Sequence, residues 1–171
     1  MGISMPAPKK PESVADAVWA QMLSATPREA RHLIRQGDFT APTSGLCPGY
    51  AQANLIVLPK EQAYDFLLFA QRNPKPCPLL EVTETGARET TICATDCDIA
   101  TDFPRYRIYE YGKLVDEVTD VSSYWRDDFV SFVIGCSFSF ESELIEAGIE
   151  MRHNTQGRNV SMYLTNVPCT P

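Results

Sequence analysis

Two short polar clusters hold the residue types that small-molecule chemistry needs. The first is GCSFSFE at residues 135–141, which places a thiol, two hydroxyls and a carboxylate beside one another: Cys136, Ser137, Ser139 and Glu141. Cys136 would act as a covalent nucleophile only with a neighbouring base and a lowered pKa. The local sequence supplies no base ahead of it, so a structural thiol is expected. Ser137 and Ser139 precede a run that reads as a short acidic helix. They either cap that helix or join the free amides of the turn in holding a carboxylate or phosphate.

The second cluster is MRHNTQGRN at residues 151–159. Arg152 and Arg158 are of the type that grips a carboxylate through paired hydrogen bonds. His153 can move a proton near neutral pH, and Gln156 and Asn159 add amides. The plainer alternative is a solvated turn with two surface arginines. Between the clusters, Gly148 ends the helix and lets the chain double back. The Ser137 or Ser139 hydroxyl is therefore expected within roughly 10 Å of the Arg152, His153 or Arg158 head group, a span that a small dicarboxylate bridges through ordinary hydrogen bonds.

A third polar stretch, GDFTAPTSGLCPGYAQA at residues 37–53, carries Thr40, Thr43, Ser44 and Tyr50 on a loop rich in glycine and proline. Loops of that length are often functional. It lacks the Gly-Lys-Ser/Thr core of a phosphate loop. Thr43 and Ser44 are candidate binding hydroxyls, unless they only satisfy the loop's own backbone. Asp96, Asp98 and Asp102 lie near Arg105 and Arg107 in sequence and read as a charge-balanced surface, with part of a site as the alternative.

The six cysteines are Cys47, Cys77, Cys93, Cys97, Cys136 and Cys169. A disulfide framework suits short secreted chains, and this N-terminus, MGISMPAPKKPESV, has no apolar core of the kind a signal peptide needs. Reduced thiols and a cytoplasmic location are expected. Cys93 and Cys97 have no second Cys/His pair at ligand spacing, so no metal site is expected. No cofactor signature is visible.

Several elements must position these residues. Helices are expected over 13–23, with Val14, Val18 and Met22 on one face, and from Thr26, where TPRE forms a capping box with Pro27 in the first turn. That helix stops at Gly37. A strand over 54–59 leads into a helix over 60–72. A strand over 79–84 is expected to pair with 89–95, and residues 105–118 form a hairpin around Gly112. Val121, Trp125, Phe129, Phe132 and Val133 fall at helical spacing, which predicts a helix over 121–134 ended by Gly135. A strand is expected over 158–166. Helices mixed with hairpins place the chain in the α/β or α+β class. Residues 1–12 read as a flexible lead-in and residues 13–171 as one domain.

The bulk numbers agree with one globular unit. A chain of 171 residues can bury roughly 70% of the surface it exposes when unfolded. The net charge of −7 argues against broad nucleic-acid binding, which needs an excess of Lys and Arg. No apolar run is long enough to span a bilayer.

Taken together, GDFTAPTSGLCPGYAQANLIVLP, YDFLLFAQRNPKPCPLLEV, TDFPRYRIYEYG, FVIGCSFSFESELIEAGI and RHNTQGRNVSMYLTNVPC closely resemble the DUF1445 family, also labelled UPF0317, of hydro-lyases. The eukaryotic D-glutamate cyclase contains a related region. The resemblance covers residues 14–171. It implies a three-layer α/β domain with a smaller α/β lobe, and a carbon–oxygen lyase that removes water from a small molecule. For the cyclase relative, D-glutamate closes to 5-oxo-D-proline. Family members continue beyond a TNVPC segment, whereas this chain stops at Pro171, so the domain is expected to be incomplete at its C-terminal end.

On that reading Arg152 and Arg158 anchor carboxylates, and His153 or Glu141 moves protons. Ser137, Ser139 and the local amides stabilise a developing oxyanion, with Gln156, Asn159, Thr43 and Ser44 lining the site. The expected partner is a small carboxylate or amino acid, with homo-oligomerisation left open. The alternative from another class is a non-catalytic protein that binds such a carboxylate.

Overall fold

The computed structural model describes residues 8–158 and 164–171. Its N-terminal layer is built from two helices, α1 (Asp16–Ser24) and α2 (Pro27–Arg35). The α2 start follows its sequence closely. Thr26 accepts from the Glu29 amide, and the Glu29 carboxylate accepts from the Thr26 amide at 2.8 Å, with Pro27 in the first turn. Gly37 follows the helix with φ of 79°, a left-handed conformation that glycine adopts without steric cost. Met22, Ala30, Ile34, Phe39, Ala41 and Leu46 form the core beneath these helices.

The central sheet has three antiparallel strands in the order β1–β5–β2. They are β1 (Ala53–Pro59), β2 (Leu79–Val82) and β5 (Phe129–Gly135). In register, Ala53 lies opposite Gly135 and Pro59 opposite Phe129, while Leu79 lies opposite Ile134. Helix α3 (Lys60–Arg72) covers one face, where Ala63, Phe66 and Leu67 pack on Val130, Phe132 and Ile134. On another side, Leu55 packs with Ala100, Tyr106 and Val121. Tyr106 belongs to a hairpin of β3 (Tyr106–Glu110) and β4 (Lys113–Val118), which turns at Gly112 as expected from sequence. The mixed α/β class is observed, with antiparallel sheets among the described residues.

Three expectations are corrected. Residues 121–134 are not a helix: Ser122–Tyr124 is a single 3-10 turn and 129–135 is the central strand. Val130 to Ile134 are all buried, because a middle strand covered on both faces reads as an unbroken apolar run rather than an alternating one. The partner of β2 is this strand, not 89–95. The latter is a loop with one isolated bridge, Glu89 to Asp98, because its amides turn to a side chain instead. The buried Glu81 carboxylate accepts from the amides of Thr91, Ile92 (3.1 Å) and Cys93 (2.7 Å). Finally, Gly135 closes a strand rather than a helix. A Cβ there would sit 3.4 Å from Leu80 and 3.5 Å from Pro78.

The aspartates are also repartnered. Arg105 and Arg107 pair with Glu117. Asp96 pairs with Arg28, Asp98 with Arg88 and Asp102 with Arg35. Asp102 is buried, so this group ties α2 to the 96–102 loop rather than forming a plain surface. The strand expected over 158–166 falls largely on residues outside those described, as does most of the lead-in. Within residues 8–12, Lys10 donates to Val14 O at 3.1 Å.

Candidate active site

One end of the central sheet delivers the GCSFSFE segment. Gly135 N donates to Pro78 O at 2.9 Å, and Cys136 N donates to Gln52 O at 3.1 Å. The segments leading into β1 and β2 thus fix the chain as it leaves β5. A 3-10 turn, Ser137–Ser139, follows. Ser139 does not cap the next helix. Its hydroxyl accepts from Gln52 N at 2.9 Å, and the capping position belongs to Phe140, which makes no side-chain cap bond. Gln52 Nε2 also reaches Leu46 O at 2.9 Å, tying the loop that holds Thr43 and Ser44 to this turn. Gln52 gave no sequence signal because it anchors the turn mainly through backbone atoms.

Helix α4 (Glu141–Glu146) is short and ends at Gly148, whose φ is 79°. Gly148 N donates to Ile145 O and Ile149 N to Leu144 O, both at 2.9 Å. This is the paired bonding that closes a helix through a left-handed residue. The reversal brings in α5 (Arg152–Thr155), which ends with the same pattern: Gly157 N to Asn154 O and Arg158 N to His153 O.

The result is a buried chain of three side chains. Ser137 Oγ donates to Glu141 Oε1 at 2.9 Å, and Glu141 Oε2 lies 3.1 Å from His153 Nε2. Glu141 is 4% exposed and His153 is 2% exposed, whereas Ser137 is only half-buried. His153 Nδ1 is buried and has no hydrogen-bond partner among the described residues. A buried carboxylate is costly unless paired. Here its two oxygens meet a hydroxyl and an imidazole, both groups that can pass protons.

The other residues named from the sequence are placed differently. Arg152, Gln156 and Arg158 are exposed and stand on the segment that carries His153. No carboxylate of the described residues pairs with either arginine. Thr43 and Ser44 are half-buried in the loop held by Gln52, where Thr43 O accepts from Leu46 N at 3.0 Å. Asn159 lies outside the described residues. Cys136 is half-buried, and burial pushes its thiol pKa up despite the opposing pull of the Phe138 and Ser139 amides. A thiol so held stays protonated and is a poor nucleophile. A cleft of about 640 Å³ is lined by other residues, among them Arg28, His32 and Asp96. Arg28 is paired with Asp96, Arg35 with Asp102, and Glu29 with the Thr26 cap, so the Ser137–Glu141–His153 chain is the better candidate for chemistry. Among the described residues, no three His, Cys, Asp or Glu side chains gather as metal ligands, and no helix is long and apolar enough to cross a membrane.

Comparison with known proteins falls on the same segment. Residues 130–171 match the D-glutamate cyclase family. A protein of Clostridium beijerinckii named "Putative hydro-lyase" is 62% identical over 145 residues, covering 85% of this chain and 55% of the relative. The Bacillus subtilis protein named "Putative hydro-lyase YcsI" is 59% identical over 145 residues, with 85% and 56% covered. The chain therefore spans about half the length of the curated relatives it matches. Over that matched span the chain is similar to these proteins named "Putative hydro-lyase", and its residues 130–171 match the D-glutamate cyclase family.

Proposed function

We propose that this chain contributes the proton-handling part of a carbon–oxygen lyase site that removes water from a small carboxylate or amino acid, with D-glutamate as the substrate to test first. The observation that carries this reading is the buried Glu141 carboxylate shared between Ser137 and His153, within the segment that matches the D-glutamate cyclase family. Cyclisation of D-glutamate forms a C–N bond at the carbon of the γ-carboxylate and breaks a C–O bond there. The ammonium nitrogen gives up two protons, and the departing oxygen leaves as water with two. Such a reaction needs a group that takes a proton on one side and returns it on the other. Glu141 fills that role. Arg152 and Arg158, exposed on the segment that carries His153, are assigned to hold the α-carboxylate.

The test is turnover. The 171-residue chain and, in parallel, the Clostridium beijerinckii relative are incubated with D-glutamate, L-glutamate and small hydroxy acids, and loss of one water is followed by mass. D-Glutamate is expected to give 5-oxo-D-proline, and Glu141→Gln to suppress it. Saturable binding of D-glutamate by both proteins, with no water lost from any substrate, would instead identify a carboxylate-binding protein.

A further inference from the structure

We infer that Ser137 is the outer end of a three-membered proton relay, the group that touches the substrate, and that His153 is a positioning residue acting through Glu141. The inference rests on the hydro-lyase reading above and assigns the roles within it. Its basis is the gradient of burial along the hydrogen-bonded chain. His153 is 2% exposed and Glu141 is 4% exposed, so neither presents an open face. Ser137 is only half-buried and donates inward to Glu141 Oε1 at 2.9 Å. A proton from outside therefore meets the Ser137 oxygen first.

The transfer balances. As the substrate ammonium gives a proton to Ser137 Oγ, the serine's own proton passes to Glu141 Oε1. The reverse movement returns that proton to the departing oxygen, and a second round carries the second proton, so water leaves and the relay ends each cycle unchanged. The histidine sets the carboxylate's orientation. Its Nε2 meets Glu141 Oε2 at 3.1 Å, while Nδ1 is buried without a partner among the described residues. A proton on Nδ1 would be a stranded donor in the interior. The tautomer with the proton on Nε2 donates to Glu141 and avoids that cost. Cys136, whose thiol also feels the Glu141 charge, is held protonated by burial and does not compete.

The chain contains two histidines, His32 and His153, so each can be followed by nitrogen NMR. His32 is on α2, beside Gln36 Nε2 at 3.0 Å, and serves as the internal reference. The expected result is the His153 tautomer with its proton on Nε2. Ser137→Ala removes one donor from Glu141 and is expected to shift the His153 Nε2 resonance, with that of His32 unmoved. On D-glutamate, Ser137→Ala is expected to lower kcat about 100-fold with KM within about threefold, and Ser137→Thr to recover most of the loss. If Ser137→Ala does not fold, judged by His32 and circular dichroism, Ser137→Cys takes its place.

An unmoved His153 Nε2 resonance in a folded variant overturns the relay whatever the activity. So does wild-type turnover by Ser137→Ala. A shifted His153 resonance in Ser137→Ala, together with a wild-type protein that never converts D-glutamate, supports the coupled unit and counts against the lyase reading alone.

Discussion

Two buried carboxylates, Asp102 and Glu141, each join separate parts of the chain, and their partners differ in kind. Asp102 accepts from Arg35 Nε and Nη2, both at 2.7 Å, from Asp98 N at 3.1 Å and from Thr101 Oγ1 at 3.0 Å. Arginine keeps its charge throughout the range in which proteins work, and a backbone amide does not titrate. Asp102 therefore serves as a fastening between α2 and its loop. Glu141 accepts from a serine hydroxyl and meets an imidazole, and an imidazole changes charge near neutral pH. Burial is common to both sites. What separates a fastening from a candidate site is whether the partners can give and take protons.

The comparison is broken most directly at Asp102. Its side chain is fully buried, and truncation in Asp102→Ala leaves Arg35 without its main partner. The expected loss is about 3 kcal/mol of unfolding free energy, at the low end of the range for breaking a buried pair because Arg35 keeps some contact with water. Urea denaturation of wild type and variant measures it. A shift in unfolding free energy below about 0.5 kcal/mol would mean the pair is no stronger than a surface ion pair.

Glu141→Gln tests the other half. Glutamine has the same shape but cannot take up the proton. The expected cost is about 100-fold in kcat on D-glutamate, or about 2.7 kcal/mol in barrier, with the denaturation midpoint near wild type. A variant that unfolds but, while folded, turns over normally would make Glu141 a second fastening and erase the contrast with Asp102.

The difference between these regions was only partly legible in the sequence. Helix α2 was readable because its capping box and Pro27 are local signals, and the β3–β4 hairpin because Gly112 marks its turn. The strand β5 was not readable, since its apolar run reflects neighbours on both faces that are distant in sequence. The Asp102–Arg35 pair spans 67 positions and left no local trace. For the candidate site, Gly148 signals the reversal that lets Glu141 and His153 approach. Ser139 carries the signature of a cap, yet a backbone amide from Gln52 claims its hydroxyl. Sequence shows which groups are near one another along the chain, but not which competing donor reaches them first.

Glu81 sharpens the comparison as a third buried carboxylate. Burial alone would raise its pKa, but the amides of Thr91, Cys93 and Ile92 outweigh it and hold the value below the ordinary 4.5. A depressed folded pKa contributes stability that is present above the unfolded value and lost as pH falls through the folded one. Glu81→Gln is expected to cost about 2 kcal/mol at neutral pH, the scale of hydrogen bonds to a charged group. The wild-type Tm should fall as the pH drops below 4.5, with a flatter curve for the variant. Parallel curves would show that this carboxylate is not ionised in the folded protein.

The smallest effect is expected at Cys136, which sits between the strand and the relay and so tests whether proximity alone confers a role. Its backbone amide is committed to Gln52 O, and burial raises the thiol pKa, the opposite of what an attacking thiolate requires. The Glu141 charge pushes in the same direction. Every influence except the two nearby amides keeps the sulfur protonated, so Cys136 fills space beside the relay without exchanging protons with it. Cys136→Ser and Cys136→Ala are therefore expected to keep activity within about tenfold of wild type, under about 1.4 kcal/mol in barrier. Alanine should lose more stability than serine if packing rather than polarity is what the thiol supplies. Steady-state rates on D-glutamate, with circular dichroism as the check on folding, decide the point. A loss of several orders of magnitude in a folded Cys136→Ser protein would transfer the chemistry from Glu141 to the sulfur, and the partner-based distinction between Asp102 and Glu141 would no longer locate the site.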